Sequence, residues 1–154
     1  VRRLLTVELI PKTSWYDNVR SHVSKDEWER LKKITFKRAG YRCEICGGRG
    51  EKWPVECHEV FTYDDVRHIQ TLERLIALCP ACHEVKHIGL AGVRGRRGAA
   101  LAHLAKVNGW SLQDAELYLE GSFEVWHRRS CHEWELDLSY LKQFDIPAEA
   151  VEEH

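Results

Sequence analysis

The chain of 154 residues has no methionine, no excess of charge of one sign and no long apolar run. No run approaches the ~20 apolar residues of a membrane span, and no charged-then-apolar leader precedes the first polar residues. The expectation is a soluble, cytoplasmic protein with no membrane partner. A formal net charge of −1, from 23 Lys and Arg against 24 Asp and Glu, is uninformative. Nucleic-acid binders are often basic, yet a local patch does the same work, and Arg94-Gly95-Arg96-Arg97 shows that positive charge is concentrated somewhere. Methionine is missing even at position 1, and Val1 carries no structural conclusion. The length suits one domain, or a small metal-bound module with extensions.

Cysteine and histidine, in contrast, are clustered. Cys43-Glu44-Ile45-Cys46 and Cys79-Pro80-Ala81-Cys82 are two Cys-x-x-Cys pairs separated by thirty-two residues. Their four soft thiolates have the spacing by which two short knuckles wrap one tetrahedral Zn²⁺. The competing reading, two disulfides or four core cysteines, suits secreted chains, and nothing here looks secreted. Cys57-His58-Glu59 lies between the knuckles, and His83 and His87 follow the second at a spacing of four, which puts both imidazoles on one helix face. Because four thiolates saturate a zinc, the remaining Cys and His resemble an open metal site with positions left for water and substrate.

Along the chain, residues 3–10 read as a short strand stopped by Pro11. Ser24-Lys25-Asp26-Glu27 is a capping box, and Trp28, Leu31 and Ile34 or Thr35 continue a helix that ends before Gly40. Residues 54–61 and 75–78 read as two strands, the second running into Cys79. Between them, residues 62–71 read as a polar loop of about ten residues containing Arg67 and His68, a possible substrate-facing element. After His87, residues 94–98 form a flexible cationic loop, residues 99–107 a short helix, and Ser111-Leu112-Gln113-Asp114 opens another. His127, Cys131 and His132 form a weaker second metal-ligand pattern.

Cys43-x2-Cys46, then Cys57-His58, then Leu75-Ile76-Ala77-Leu78-Cys79-x2-Cys82-His83-x3-His87 resembles the HNH endonucleases over about 45 of the 154 residues. The resemblance implies an α+β protein with a ββα-metal core, two strands and a helix gripping one divalent cation, braced by a separate zinc on the four knuckle cysteines. On this reading residues 1–40 are an N-terminal strand and helix packed on the core and residues 41–92 the zinc-braced module. Residues 93–147 are the basic loop and C-terminal helices, and residues 148–154 a tail. The implied activity is metal-dependent hydrolysis of DNA phosphodiester bonds. His58 falls at the general-base position, Cys57 at a metal-ligand position, and His83 and His87 at the helical ligands. The family's Asn falls on Arg74, which either fastens the strands or clamps a scissile phosphate.

Cys57 stays divided between ligand and core thiol, because adjacent strand residues point to opposite faces unless the strand bulges or ends there. The catalytic metal is Mg²⁺, Mn²⁺, Ni²⁺ or Zn²⁺, with thiolate and imidazole favouring a soft ion and Glu56 or Glu59 available for a harder one. Arg67, Lys86, Arg94, Arg96 and Arg97 are the candidate DNA contacts. Two other functions fit the same residues: a zinc-braced nucleic-acid-binding module that has lost cleavage, and a zinc-stabilised protein-interaction domain.

Overall fold

The computed structural model describes residues 4–15 and 17–146, so the tail expected at 148–154 lies outside the described residues. Along them run α1 (Lys25–Arg38), β1 (Glu56–Asp64), β2 (Ile69–Leu78), α2 (Pro80–Lys86), α3 (Ile88–Val93), α4 (Arg97–Asn108), α5 (Leu112–Arg129) and β3 (Glu135–Asp137). Short 3-10 turns lie at Val19–Ser21 and Ser139–Phe144. The chain is a mixed α+β protein around a three-stranded sheet of order β1-β2-β3, with β1 and β2 antiparallel and β2 and β3 parallel. No helix among the described residues is long and apolar enough to cross a membrane.

Alternation along β1 and β2 sorts side chains into two cores. His58 pairs with Ile76 and Glu56 with Leu78, on the side where Ile76, Leu78, Val85, Leu104 and Leu119 pack together. Cys57 pairs with Ala77 and Glu59 with Leu75, on the side where Leu75, Phe61, Trp28, Leu31 and Leu141 pack. The one register shift falls between Val60 and Phe61, beyond Cys57 and His58, so these two neighbours do face opposite ways.

The helix signals act as read. Ser24 Oγ accepts from Glu27 N at 3.1 Å while the Glu27 carboxylate accepts from Ser24 N at 2.8 Å, and α1 buries Trp28, Leu31 and Thr35. At α4 the stop is Gly109, whose φ of 70° suits a residue without Cβ. Ser111 caps α5 by accepting from Asp114 N at 3.0 Å.

Three expectations are corrected. Residues 4–10 form no strand. Their backbone groups go to side chains and a helix end: Asn108 accepts from Leu5 N and donates to Leu5 O, both at 2.8 Å, Tyr118 Oη accepts from Val7 N, and Lys86 O accepts from Glu8 N. The loop over residues 62–71 is replaced by a continuous hairpin, with β1 and β2 paired to Asp64 and Ile69 and only residues 65–68 turning. The basic loop expected over residues 94–98 is shortened to residues 94–96, between the end of α3 at Val93 and the start of α4 at Arg97. Arg96 is held by Glu84 at 2.6 Å, and Arg97 by Glu116.

Over residues 74–78 the β2 edge away from β1 has no strand partner, since β3 pairs only with residues 69–71. Glu44, inside the first knuckle, covers it. Its N–H donates to Ala77 O at 2.9 Å and its carboxylate accepts from Ala77 N at 2.7 Å, imitating a ladder. The other Glu44 oxygen accepts from Arg74 Nη2 at 2.6 Å. Arg74 therefore fastens the knuckle to β2. Arg74→Ala and Arg74→Lys are both expected to lower thermal stability, and Glu44→Ala more so. Stranding Ala77 N–H costs ~1–3 kcal/mol, about 2–4 °C of melting temperature per kcal/mol. Melting curves decide this, and an unchanged transition for Glu44→Ala would remove the fastening role.

Candidate metal centres

Two groups of metal-ligating side chains converge among the described residues: Cys43, Cys46, Cys79 and Cys82, and separately His58, His83 and His87. Within each group the donor atoms all lie within 4.8 Å of one another.

The first knuckle is a tight turn in which Cys43 N donates to Gly48 O and Gly47 N to Cys43 O. Gly50 just beyond is required, since a Cβ there would stand 2.3 Å from Trp53 O and 2.8 Å from Pro80. The second knuckle begins where β2 ends. Cys79 is the N-cap of α2 and Pro80 its first residue, which fits a ring with no N–H to place. Backbone N–H groups point at sulfur: Cys46 N at Cys43 Sγ (3.4 Å), Gly48 N at Cys46 Sγ (3.3 Å) and Cys82 N at Cys79 Sγ (3.4 Å).

The sulfurs of Cys46 and Cys79 are 3.6 Å apart, close to the edge of about 3.8 Å that a tetrahedron of Zn–S bonds requires. Hydrogen bonds from Cys79 and Cys82 hold the Cys43 thiol well below the usual range, while the bond to Cys43 pushes the Cys79 thiol up to about 11 and Cys82 is also raised. That is the behaviour of sulfurs competing for one negative charge; a central dication removes the competition. The four cysteines could hold a zinc ion. A fifth partner, invisible in the spacing, is His103 of α4, whose Nε2 lies 3.2 Å from the fully buried Cys82 Sγ. A thiolate only accepts, so this nitrogen carries the hydrogen.

The histidine group is assembled by three elements. His58 projects from β1 and is 5 % exposed, with its Nε2 buried and without a hydrogen-bond partner. His83 stands on α2. His87 ends that helix, its N–H donating to His83 O at 3.2 Å, so the spacing of four places the two rings together. The three ring centroids are 4.7–5.3 Å apart. Glu56, two residues before His58 on the same strand face, accepts from His83 Nδ1 at 2.8 Å and from Trp53 Nε1 at 2.9 Å. This fixes the proton on Nδ1 and frees the Nε2 lone pair. His83 Nε2 and His87 Nε2 face each other at 3.1 Å, near the separation of about 3.3 Å for two imidazoles on one tetrahedral ion. An orphaned Nε2 beside two converging Nε2 atoms suits a borderline cation such as zinc and leaves a coordination position open.

Burial, with His87 and His83 alongside, pushes His58 down to about 2, and partial covering of its ring together with His83 pushes His87 down to about 4. Both are neutral near pH 7, as ligands must be.

Other predicted site residues are placed differently. Cys57 is not with the histidines: it faces the Trp28 core, where burial pushes its thiol up to about 12, so the ligand expectation gives way to the core thiol. Arg74, expected at the rim of the histidines, is committed to Glu44 and lines neither cleft beside the cluster. Lys86 is 4 % exposed, bonded to Thr6 Oγ1 at 2.7 Å and 3.7 Å from Glu8, which corrects its expected role as a DNA contact. Arg67 sits exposed in the hairpin turn, with its N–H on Asp64 Oδ1. His58 is six residues from the strand end at Asp64, or about 20 Å. Cys131 donates to His127 O and His132 stacks on His68 at 4.1 Å, so the pattern at 127–132 forms no metal cluster among the described residues.

No family model, curated protein or solved structure matches the chain. The chemistry is therefore read from the two clusters alone.

Cys79→Ser is expected to lose zinc content and most of the cooperative melting transition, since structural zinc contributes on the order of 10 kcal/mol. His103→Ala should fold but release zinc to a chromogenic chelator about tenfold faster; release at the parental rate would show that His103 only packs there. The sign of the acid response is also fixed. His58 has a depressed pKa in the fold, so its contribution is full above about 6.5 and is lost as pH falls towards about 2. Glu8, pushed up to about 7 mainly by burial, runs the other way, losing its contribution as pH rises from about 4.5 through about 7. In chelator-treated protein, Glu8→Gln should therefore steepen the fall in melting temperature below about pH 6.5, and an unchanged slope would refute the assignment.

Proposed function

We propose that the chain is a metal-dependent DNA endonuclease of the HNH type, a ββα-metal hairpin and helix braced by a four-cysteine zinc. The observation that carries this reading is the convergence of His58, His83 and His87 from β1 and α2 beside an open cleft, directly after a zinc-ready knuckle. A bound divalent cation would neutralise charge on the phosphate oxygens as phosphorus becomes five-coordinate. The protein's part is to hold and orient. Glu56 fixes the His83 tautomer, and β1 and α2 fix the angle at which the three rings meet.

In this reading His58 belongs to the ligand trio, because its Nε2 cannot bind a cation and also take a proton. The proton acceptor is then a carboxylate of the same cleft. Glu8 lines it, and burial, only partly offset by the Lys86 ammonium, brings its carboxyl to about 7, the value suited to a base at neutral pH.

The second reading, a nucleic-acid-binding module without cleavage, is favoured by the commitment of Arg74, at the family's Asn position, to Glu44.

Plasmid incubated with Mg²⁺, Mn²⁺, Ni²⁺ or Zn²⁺ tests both. Nicking should appear with at least one metal, vanish in His83→Ala, and fall by about 10² to 10⁴ in kcat for Glu8→Gln. Nicking unaffected by His83→Ala, or none under any metal, would remove the endonuclease reading, and retention of DNA without nicking would leave the second.

A further inference from the structure

An imidazole is held no more firmly than the carboxylate it donates to, and a glutamate side chain has several rotatable bonds. The Glu56 side chain is 31 % exposed, so burial alone does not fix it. Two donors do. His83 Nδ1, on α2, donates to one carboxylate oxygen at 2.8 Å, and the Trp53 indole Nε1, in the loop before β1, donates to the other at 2.9 Å. With each oxygen taken by a donor from a different element, the plane of the carboxylate is set, and with it the ring of His83.

A donor can position a neighbour only if it is itself held in place. The loop that carries Trp53 meets this condition. Pro54 follows Trp53, which restricts the tryptophan to extended backbone and locks the φ of the next residue. Gly50 N donates to Pro54 O at 3.0 Å and closes the loop. A Cβ on Gly50 would stand 2.3 Å from Trp53 O and 2.8 Å from the Pro80 ring, so the loop lies against the residue that opens α2. Val55, next along the chain, is buried.

The indole is 49 % exposed and belongs to neither hydrophobic core. What separates tryptophan from another aromatic at this position is therefore its N–H, and that N–H is spent on Glu56.

We infer that Trp53 is a positioning residue of the histidine centre: by holding the Glu56 carboxylate it sets the orientation and basicity of His83, and so the affinity of His58, His83 and His87 for a divalent cation. This rests on the reading of the trio as a metal site, and it is independent of the reaction carried out there.

The test is calorimetric titration of Zn²⁺ into protein whose four cysteines already carry one zinc, so that the second equivalent reports on the histidines. His83→Ala should abolish the second binding event. Trp53→Phe keeps a ring and removes the N–H, whereas Trp53→Ala removes both. Each should weaken binding of the second ion about tenfold, with the first zinc retained and the melting temperature before the second addition unchanged. In Glu56→Ala protein, itself a weaker binder, Trp53→Phe should have no further effect, because the path from the indole to the metal runs through the carboxylate.

Parental affinity in Trp53→Phe would overturn the inference, as would a loss that persists in the Glu56→Ala background or one accompanied by a lower melting temperature. The absence of any His83-dependent second ion would remove both the inference and the nuclease reading. Parental affinity in Trp53→Phe alongside His83-dependent nicking removes the inference alone. A Glu56-dependent tenfold loss without nicking under any metal upholds it and removes the nuclease reading instead.

Discussion

Four thiolates in one small volume repel one another unless protons or a cation neutralise them, and the placement of this chain's histidines depends on the cluster that brings them together. The sulfurs come from knuckles at the two ends of a segment that contains the whole β1–β2 hairpin, so a dication held by them would close the loop around the hairpin and clamp its base. Cys79 is at once a member of the four-cysteine cluster, the residue after β2 and the cap of α2, so the same sulfur that could hold a zinc ion also sets where α2, and with it His83, begins. Glu44, between Cys43 and Cys46, carries the clamp sideways onto the free edge of β2. The histidines do not build their own scaffold. They are carried to one point by elements whose ends the cysteines fix.

What was legible in the chain is what is written in short spacing. The paired knuckles, the Ser24 capping box, the Gly109 stop and the four-residue step from His83 to His87 each depend on residues within one turn of each other. The alternation rule also posed the choice at Cys57 and His58 correctly, and the absence of a bulge there resolved it. What was hidden depends on partners far away in sequence. Arg74 reaches thirty residues back to Glu44, Lys86 eighty back to Thr6, and residues 4–10 are held by Asn108 and Tyr118 more than a hundred residues on. No local pattern marks such pairings. The hairpin tip was missed for another reason: its strands carry polar residues such as Thr62, Asp64 and Thr71, and a two-sided polar ladder reads as a loop until the register is known.

The two clusters are separated by ligand softness and by access. Four buried or half-buried thiolates with N–H donors and the His103 imidazole make a closed site suited to an ion that stays. Three imidazoles at the edge of a cleft make a more open one, in which the Glu56 carboxylate accepts from His83 Nδ1 and orients its ring. A thiolate at position 57 within the trio would have blurred this distinction; the strand's alternation turns it into the core instead.

The separation also explains why total charge said so little about partners. A dication on four thiolates would leave an excess of about two negative charges, whereas the same ion on three imidazole ligands would leave about two positive ones. The first excess would be buried and answered by backbone N–H groups and His103; the second would open into a cleft whose carboxylates have internal partners. A chain of net charge −1 can thus present a locally cationic site once an ion is bound, because the acidic residues near the site are spent on internal partners such as Lys86 and Arg96. The sign that a ligand meets is set by which charges remain unpaired, and that distribution exists only once the fold has chosen the pairs.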